Sequence, residues 1–166
     1  MNKKLLISDA NIIIDIVAGE LVDAMFGLEY DFGVPDVLYA DELEAQHSDI
    51  LDAGLKLLEL QSESVEYANT LFEKNVSLRV SAHDCMALSL AKQEFCTLLT
   101  GDSKLKQLAM VENVSVRGTL WLVEQMIDIG HITAEEAEIA YDKMLKDGSR
   151  LPAAEIQIQL KKYKDR

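Results

Sequence analysis

The sequence predicts a single α/β domain in which helices cover a largely parallel β-sheet. Short apolar runs alternate along the chain with longer segments of helical periodicity, and this alternation is typical of strand–helix–strand units. The length of 166 residues fits one domain with a substantial core. We expect residues 1–166 to form one unit, with an α/β core in 1–117 and C-terminal helices in 118–166 packed on it.

The first strand is followed directly by a helix, and Asp9 stands at the junction. The apolar run Leu5-Leu6-Ile7 reaches Ser8-Asp9, and the apolar pattern then resumes with a helical period from Ile12. In an open α/β sheet, such a strand end is where ligands bind. Strands are predicted near residues 3–8, 30–34, 55–60, 95–99 and 114–117.

Capping and stop signals define the helices. Pro35 suits the first turn of a helix over 36–45, and Ser81 is a cap for a helix over 82–93. Thr133 and Glu136 have the spacing of a capping box. Further helices are predicted after Ser62, after Gly118 and from Pro152, with stops at Asn75, Gly130 and Gly148.

The acidic composition argues against one class of function. A formal net charge of −13 argues against a protein that coats nucleic acid by bulk electrostatics. A local basic patch, a bound divalent metal or a basic partner would each answer that objection. The extreme C-terminus, with Lys161, Lys162, Lys164 and Arg166, is basic, although a solvated helix end explains this equally well.

Cysteine and histidine use indicates a cytoplasmic protein without a zinc site. Cys85 and Cys96 have no partner motif, and free thiols are typical of the reducing cytoplasm. The three histidines are scattered and none pairs with a cysteine at ligand spacing. The sequence shows no signal-peptide pattern and no apolar run of membrane-spanning length, so we expect no membrane association.

Two carboxylates interrupt the apolar faces of predicted helices. A buried ionised carboxylate normally needs a partner, a proton or a bound cation. The alternative is that Asp84 only helps to cap its own helix and that Glu42 is partly exposed. The residues on the same faces are Ala87, Leu88 and Ala91 for Asp84, and Leu38, Tyr39 and Ala45 for Glu42.

Two further aspartates follow predicted strands. Asp9 ends the first strand, and Asp102 follows the fourth in Thr100-Gly101-Asp102. The pair Gly101-Asp102 is also common in simple tight turns. If strands one and four are neighbours where the strand order reverses, both aspartates face one crevice.

Four carboxylates in one crevice repel one another, so their negative charge must be balanced. Two of them about 4 Å apart repel by roughly 4 kcal/mol at an effective dielectric constant near 20. A divalent cation removes this conflict, and all-oxygen ligands favour Mg²⁺ or Mn²⁺ over zinc or copper. Such ions serve phosphate-ester chemistry.

These positions resemble the motifs of the PIN domain, the PilT N-terminus nuclease family. The similarity covers about the first 117 residues, and the tail segments Gly118–Leu122 and Gly148–Pro152 resemble a small prokaryotic subfamily similar to the toxin nucleases of toxin–antitoxin pairs. The matching segments are Ser8-Asp9-Ala10-Asn11, Ala40-Asp41-Glu42-Leu43, His83-Asp84-Cys85-Met86-Ala87-Leu88 and Leu99-Thr100-Gly101-Asp102-Ser103-Lys104-Leu105.

The resemblance implies a parallel sheet of order 3-2-1-4-5 and a metal-dependent ribonuclease. Asp9, Glu42, Asp84 and Asp102 would bind one or two Mg²⁺ or Mn²⁺ ions, with Asp9 bridging and Glu42 orienting or deprotonating the attacking water. The other positions that it implicates are Asn11 and Thr100, which would support the site through hydrogen bonds, and Lys104, which would contact substrate phosphate or simply lie on a helix surface.

The implied partners are an RNA substrate, an antitoxin protein and a second copy of the chain in a homodimer. The main alternative is a catalytically weak PIN fold that serves as a binding or assembly module. A haloacid-dehalogenase-type phosphatase would need an aspartate where Asn11 stands. A phosphoreceiver domain would need paired acids on the first strand, which are absent from the sequence.

Overall fold

A parallel five-stranded sheet forms the centre of the computed structural model, which describes residues 3–166. The strand order is β3-β2-β1-β4-β5, as the sequence resemblance implied, so β1 and β4 are neighbours. The strand order reverses beside β1, which is the arrangement that opens a crevice at the carboxyl ends of the strands. The strands are β1 Lys4–Ser8, β2 Tyr30–Pro35, β3 Lys56–Leu58, β4 Thr97–Leu99 and β5 Val116–Arg117.

The register between β1 and β4 brings the two strand ends level. Ser8 pairs with Leu99, and the backbone N–H of Asp9 donates a hydrogen bond to the carbonyl oxygen of Leu99 at 3.0 Å. Asp9 and Thr100 therefore leave the sheet side by side. This register is the reason that residues about 90 positions apart in the sequence share one site.

Helices cover the sheet and follow the predicted alternation. A 3₁₀ turn at Val76–Leu78 precedes α7, and a π-helical turn at Tyr39–Leu43 joins α3 to α4 in one continuous helix. None of the helices described for residues 3–166 has the length and apolar character needed to cross a bilayer. The helices are α1 Ala10–Ala18, α2 Val22–Phe26, α3 Asp36–Leu38, α4 Glu44–His47, α5 Ile50–Ala53, α6 Ser62–Lys74, α7 Ala82–Gln93, α8 Ser103–Val111, α9 Thr119–Asp128, α10 Ala134–Lys146 and α11 Ala153–Lys164.

Most capping predictions are confirmed. The Ser81 hydroxyl accepts the backbone N–H of Asp84, and Thr133 and Glu136 form both hydrogen bonds of a capping box. The prediction for α6 is wrong in one detail, because Ser62 is its first residue and Gln61 occupies the cap position without a side-chain hydrogen bond.

The C-terminal helices bury side chains in the same apolar cluster as the sheet. Met144 of α10 is fully buried, and Ile156 and Leu160 of α11 are nearly so. Helix α10 lies against α1 so closely that a methyl group added to Gly19 would meet the Met144 side chain at 2.6 Å. This contact fixes the loop after α10 next to the N-terminal half of the chain.

Candidate functional site

Asp9 is a buried carboxylate at the junction of β1 and α1. Its residue is 1% exposed. One carboxylate oxygen accepts the backbone N–H of Ile12 at 2.9 Å, which caps α1, and the other accepts the Thr100 hydroxyl at 2.5 Å. The pKa of Asp9 is raised to about 7: desolvation is the largest cause, the two hydrogen bonds oppose it, and the neighbouring carboxylates of Asp84 and Asp15 add smaller increases.

Thr100 connects Asp9 to Asp102. Its hydroxyl donates to Asp9 and accepts the backbone N–H of Asp102 at 3.1 Å. The sequence resemblance predicted a hydrogen-bonding role for Thr100, and the hydroxyl is fully buried in the position to perform it. Thr100 thus orients the Asp9 carboxylate toward the crevice edge.

Asp102 is exposed at the start of α8 and also has a structural role. One of its oxygens accepts the backbone N–H groups of Lys104 at 2.8 Å and Leu105 at 3.0 Å. Asp102, for which a simple tight turn with Gly101 was the alternative interpretation, is therefore the N-cap of α8. The second carboxylate oxygen of Asp102 is left for other partners.

Asp84 interacts electrostatically with each of the other three acids. It is half-buried in the first turn of α7. Desolvation raises its pKa, and the carboxylates of Asp102 and Glu42 raise it further, whereas hydrogen bonding to Ser81 opposes the change. Because Asp84 also raises the pKa of Asp9, its charge interacts with all three other acids. The fold brings together the four carboxylates that the sequence resemblance identified.

The buried position predicted for Glu42 is wrong, because its side chain is 34% exposed. The π-helical turn Tyr39–Leu43 inserts extra backbone into the helix, so the face calculated for a regular α-helix does not apply here. Leu38 and Tyr39 are buried as expected, but Ala45 is exposed.

His83 holds the acidic turn of this helix against α7. Its Nδ1 atom lies 3.2 Å from the Glu42 carboxylate, and its Nε2 atom lies 2.8 Å from the Asp41 carboxylate. Both carboxylates thus contact the same imidazole ring, one at each ring nitrogen. Because Asp84 follows His83 in the sequence, the contact of His83 with Glu42 sets the position of Glu42 relative to Asp84.

The four acids do not converge on a single point. Within residues 3–166, no group of three or more His, Cys, Asp and Glu side chains is arranged to hold a metal ion directly. Asp9 and Asp102 each commit one oxygen to a helix cap, and Glu42 is bound to His83. The donor set consists of carboxylate oxygens, which suits Mg²⁺ or Mn²⁺, and Mg²⁺ usually keeps several waters and binds through one or two carboxylates. The residues thus fit a hydrated divalent cation.

A cleft of about 600 Å³ adjoins Asp102 and extends along the N-terminal part of α1. Asn11 and Lys104, two of the residues implicated by the resemblance, line it and are exposed. Arg79 and Arg150 also line it, although neither was predicted as a site residue.

Besides Arg79, sequence reasoning missed four residues of this region. The signal for His83 was its place directly before Asp84, and the signal for Ser149 and Arg150 was the tail segment Gly148–Pro152. Asp15 lies six residues after Asp9, and the sequence showed it as an acid within an apolar helix without assigning it a role. These contacts depend on which helices pack together, so local patterns could not reveal them.

Comparisons with known proteins agree with the fold. A family model described as a PIN domain matches residues 5–165. The structure is similar to that of a PilT N-terminus domain protein from the hyperthermophilic archaeon Sulfolobus solfataricus, with a TM-score of 0.50 and 10% sequence identity, covering 74% of this chain and 93% of that one. No curated protein matches the sequence.

The chain therefore belongs to the PIN-domain family. Proteins of this family are generally metal-dependent nucleases, and they typically use divalent metal ions. The five-stranded parallel sheet with extra C-terminal helices is the PIN-like fold that the sequence predicted.

Proposed function

We propose that this protein is a divalent-metal-dependent ribonuclease of the toxin type, which hydrolyses phosphodiester bonds in RNA. The observation that carries the proposal is the position of Asp84, whose pKa burial raises and whose charge interacts with Asp9, Asp102 and Glu42. Such a cluster is unfavourable without a cation. Membership of a family of metal-dependent nucleases supports the same conclusion.

Each acid has a distinct task in the proposed reaction. Asp9, Asp84 and Asp102 would hold a hydrated Mg²⁺ or Mn²⁺ ion, and the Thr100 hydroxyl fixes the orientation of Asp9. A bound divalent cation would lower the pKa of the attacking water and offset negative charge at the phosphodiester. Glu42 accepts a proton from the water that attacks phosphorus, and its contact with His83 orients the carboxylate. The bond between phosphorus and the 3′ oxygen breaks, and the 3′ oxygen leaves as a hydroxyl group with a proton from solvent.

The test is cleavage of labelled single-stranded RNA by the purified protein with Mn²⁺ or Mg²⁺, with and without EDTA. We expect cleavage only with metal, and a loss of at least about a hundredfold in Asp9→Asn and Asp84→Asn. Asp23→Asn is the matched control, since Asp23 is an exposed aspartate on α2, away from the site. Cleavage that survives both site substitutions would refute the assignment. Single-stranded DNA of the same sequence tests the preference for RNA.

The second candidate function is a PIN-fold binding or assembly module with little turnover. It is favoured by the finding that, within the described part of the chain, no three side chains hold a metal directly. The net charge of −13 also favours it. A folded wild type that neither binds Mn²⁺ by calorimetry nor cleaves RNA would support the module over the nuclease.

The toxin role, the antitoxin, the homodimer and the cytoplasmic location stay predictions. Three exposed apolar side chains support a protein partner: Phe95, which precedes β4 and is 96% exposed, and Met110 and Val111 at the end of α8. Surface apolar groups of this size are often buried in an interface. Sedimentation equilibrium of the wild type and of Phe95→Ser tests the homodimer, which predicts a higher mass for the wild type.

A further inference from the structure

Three basic side chains from separate parts of the chain line the cleft beside the acids. Arg79 follows the 3₁₀ turn before α7, Lys104 lies in the first turn of α8, and Arg150 lies in the loop between α10 and α11. All three residues are exposed. The cleft reaches the acid site at Asp102, which is one of its lining residues.

These three cations have no carboxylate partner in the described part of the chain, although the protein carries 29 acidic residues against 16 basic ones. Cations without an internal partner are available to an anion from outside. The basic residues that do form ion pairs with acids are Lys56, Lys92, Lys143, Lys146, Lys162, Lys164 and Arg166.

The cleft also contains three acids, two of which already accept hydrogen bonds from the protein. Asp102 accepts two backbone N–H groups at the start of α8. Asp15 accepts the Ser149 hydroxyl, and burial raises its pKa. Asp147 is exposed. Equal numbers of the two charges make this cleft far less acidic than the protein as a whole, whose net charge is −13.

The loop that carries Arg150 is held in a defined conformation. Gly148 has φ of +99°, a conformation that favours glycine, and it ends α10. Its N–H donates to Leu145 at 3.1 Å and the N–H of Ser149 donates to Met144 at 3.0 Å, which is a Schellman motif. The Ser149 side chain then hydrogen-bonds to Asp15 on α1. The loop is thus attached both to its own helix and to the helix that Asp9 caps.

We propose that the loop Asp147–Arg150 is a clamp for the phosphate backbone of single-stranded RNA entering the acid site. The Ser149–Asp15 hydrogen bond holds the loop against α1, and Arg150 then binds backbone phosphates together with Lys104 and Arg79. This inference rests on the proposed ribonuclease function for the identity of the strand, but the cationic contacts need no metal. It assigns a substrate-binding role to the C-terminal helices.

Binding is measured separately from cleavage in the full-length Asp84→Asn protein, in EDTA, by fluorescence anisotropy of a labelled single-stranded RNA at several salt concentrations. Because each phosphate contact contributes about 0.7 to the salt dependence for a single strand, Arg150→Ala lowers the slope by about that amount and weakens binding by roughly three- to tenfold. Lys104→Ala and Arg79→Ala each lower the salt slope and the affinity by similar amounts to Arg150→Ala. Arg150→Lys keeps the charge and the slope.

Lys161→Ala is the matched control, because Lys161 is an exposed lysine of α11 without an ion-pair partner in the described chain and outside the cleft. It leaves the affinity and the salt slope unchanged. Identical affinities and slopes for Arg150→Ala and Lys161→Ala would overturn the clamp.

The role of the Ser149–Asp15 hydrogen bond in holding the loop is tested through Ser149→Ala, with circular dichroism to verify the fold. Ser149 is a positioning residue, so its removal raises KM for RNA cleavage severalfold in the otherwise wild-type protein and leaves kcat unchanged. Its effect on RNA affinity disappears in an Arg150→Ala background, since both residues act through the same contact. Equal effects of Ser149→Ala on RNA affinity in both backgrounds, or a change confined to kcat, would refute this role of the Ser149–Asp15 hydrogen bond.

The clamp and the ribonuclease can fail independently. If the wild type cleaves RNA and all three cation variants bind RNA like Lys161→Ala, the clamp is wrong and the nuclease stands. If the wild type never cleaves but the cation variants lose RNA affinity, the clamp stands as a binding site and the nuclease is wrong.

Discussion

The substitution Asp9→Asn is expected to inactivate the protein and to stabilise its metal-free fold above neutral pH. Asp9 is 1% exposed and its pKa is raised by desolvation to about 7 from an ordinary value of 3.8. Asparagine has almost the same shape, keeps an oxygen for the backbone N–H of Ile12, and carries no charge into the interior.

The size of the effect follows from the pKa difference. The rise of about 3 pKa units, at 1.36 kcal/mol per unit, corresponds to roughly 4 kcal/mol of unfavourable charge burial. Asparagine offers an N–H group where Asp9 accepts the Thr100 hydroxyl, and losing that hydrogen bond costs about 1 to 2 kcal/mol. The net expectation at pH 8 is therefore a gain of about 2 to 3 kcal/mol in the free energy of unfolding.

The gain must depend on pH with a definite sign. Because the pKa of Asp9 is higher in the folded state, its protonated form favours folding, and this contribution is fully present below pH 3.8. It is lost as the pH rises toward about 7. Asp9→Asn should thus be slightly less stable than the wild type near pH 4 and more stable at pH 8.

Urea denaturation followed by circular dichroism, in EDTA at a series of pH values from 4 to 8.5, measures this difference. Asp23→Asn, at an exposed position, is the control and should follow the wild type at every pH. The reasoning is refuted if Asp9→Asn is destabilised by the same amount at pH 4 and pH 8. That result would mean that the carboxylate acts only as the cap of α1.

Three further predictions concern the structure around the site. Thr100→Val removes the hydroxyl that Asp9 and the N–H of Asp102 use, and should lower the free energy of unfolding by about 1 to 3 kcal/mol, whereas Thr100→Ser should lose less than half of that in the same denaturation assay. Gly148→Ala should cost about 1 kcal/mol or more in thermal melts because φ is +99° there, and Gly101→Ala, where an added methyl group meets nothing, should cost less. Met144→Ala should cost about 2 to 5 kcal/mol and leave a single unfolding transition if the C-terminal helices share one cooperative unit with the sheet; two transitions would contradict that unit.

Local patterns predicted most of the architecture correctly. Four of the five strands lie within the predicted regions, and the helix over residues 82–93 has the predicted bounds. Strand β2 runs one residue further than predicted and ends at Pro35, which was expected in the first turn of the next helix. These elements combine apolar periodicity with clear caps such as Ser81, so short-range physics is sufficient to define them. The short helices α2 and α5 were not predicted, because five and four residues carry too little periodicity.

Glu42 shows where a local argument fails. The predicted face assumed 3.6 residues per turn, and the π-helical turn Tyr39–Leu43 changes that period at the position in question. The contact between His83 and Glu42 joins two helices that are about 40 residues apart in sequence. No periodicity within either helix encodes their distance.

The sequence by itself determined the α/β class, the strands and most helix ends, and the four acids at positions where an apolar or turn residue was expected. Only the tertiary structure decided the register of β1 against β4, which places Asp9 beside Thr100, and the packing of α10 on α1, which brings Ser149 to Asp15. The physical reason is the distance along the chain over which each kind of interaction acts. Periodicity and capping act over a few residues, whereas strand register and helix packing depend on the shape of the whole core.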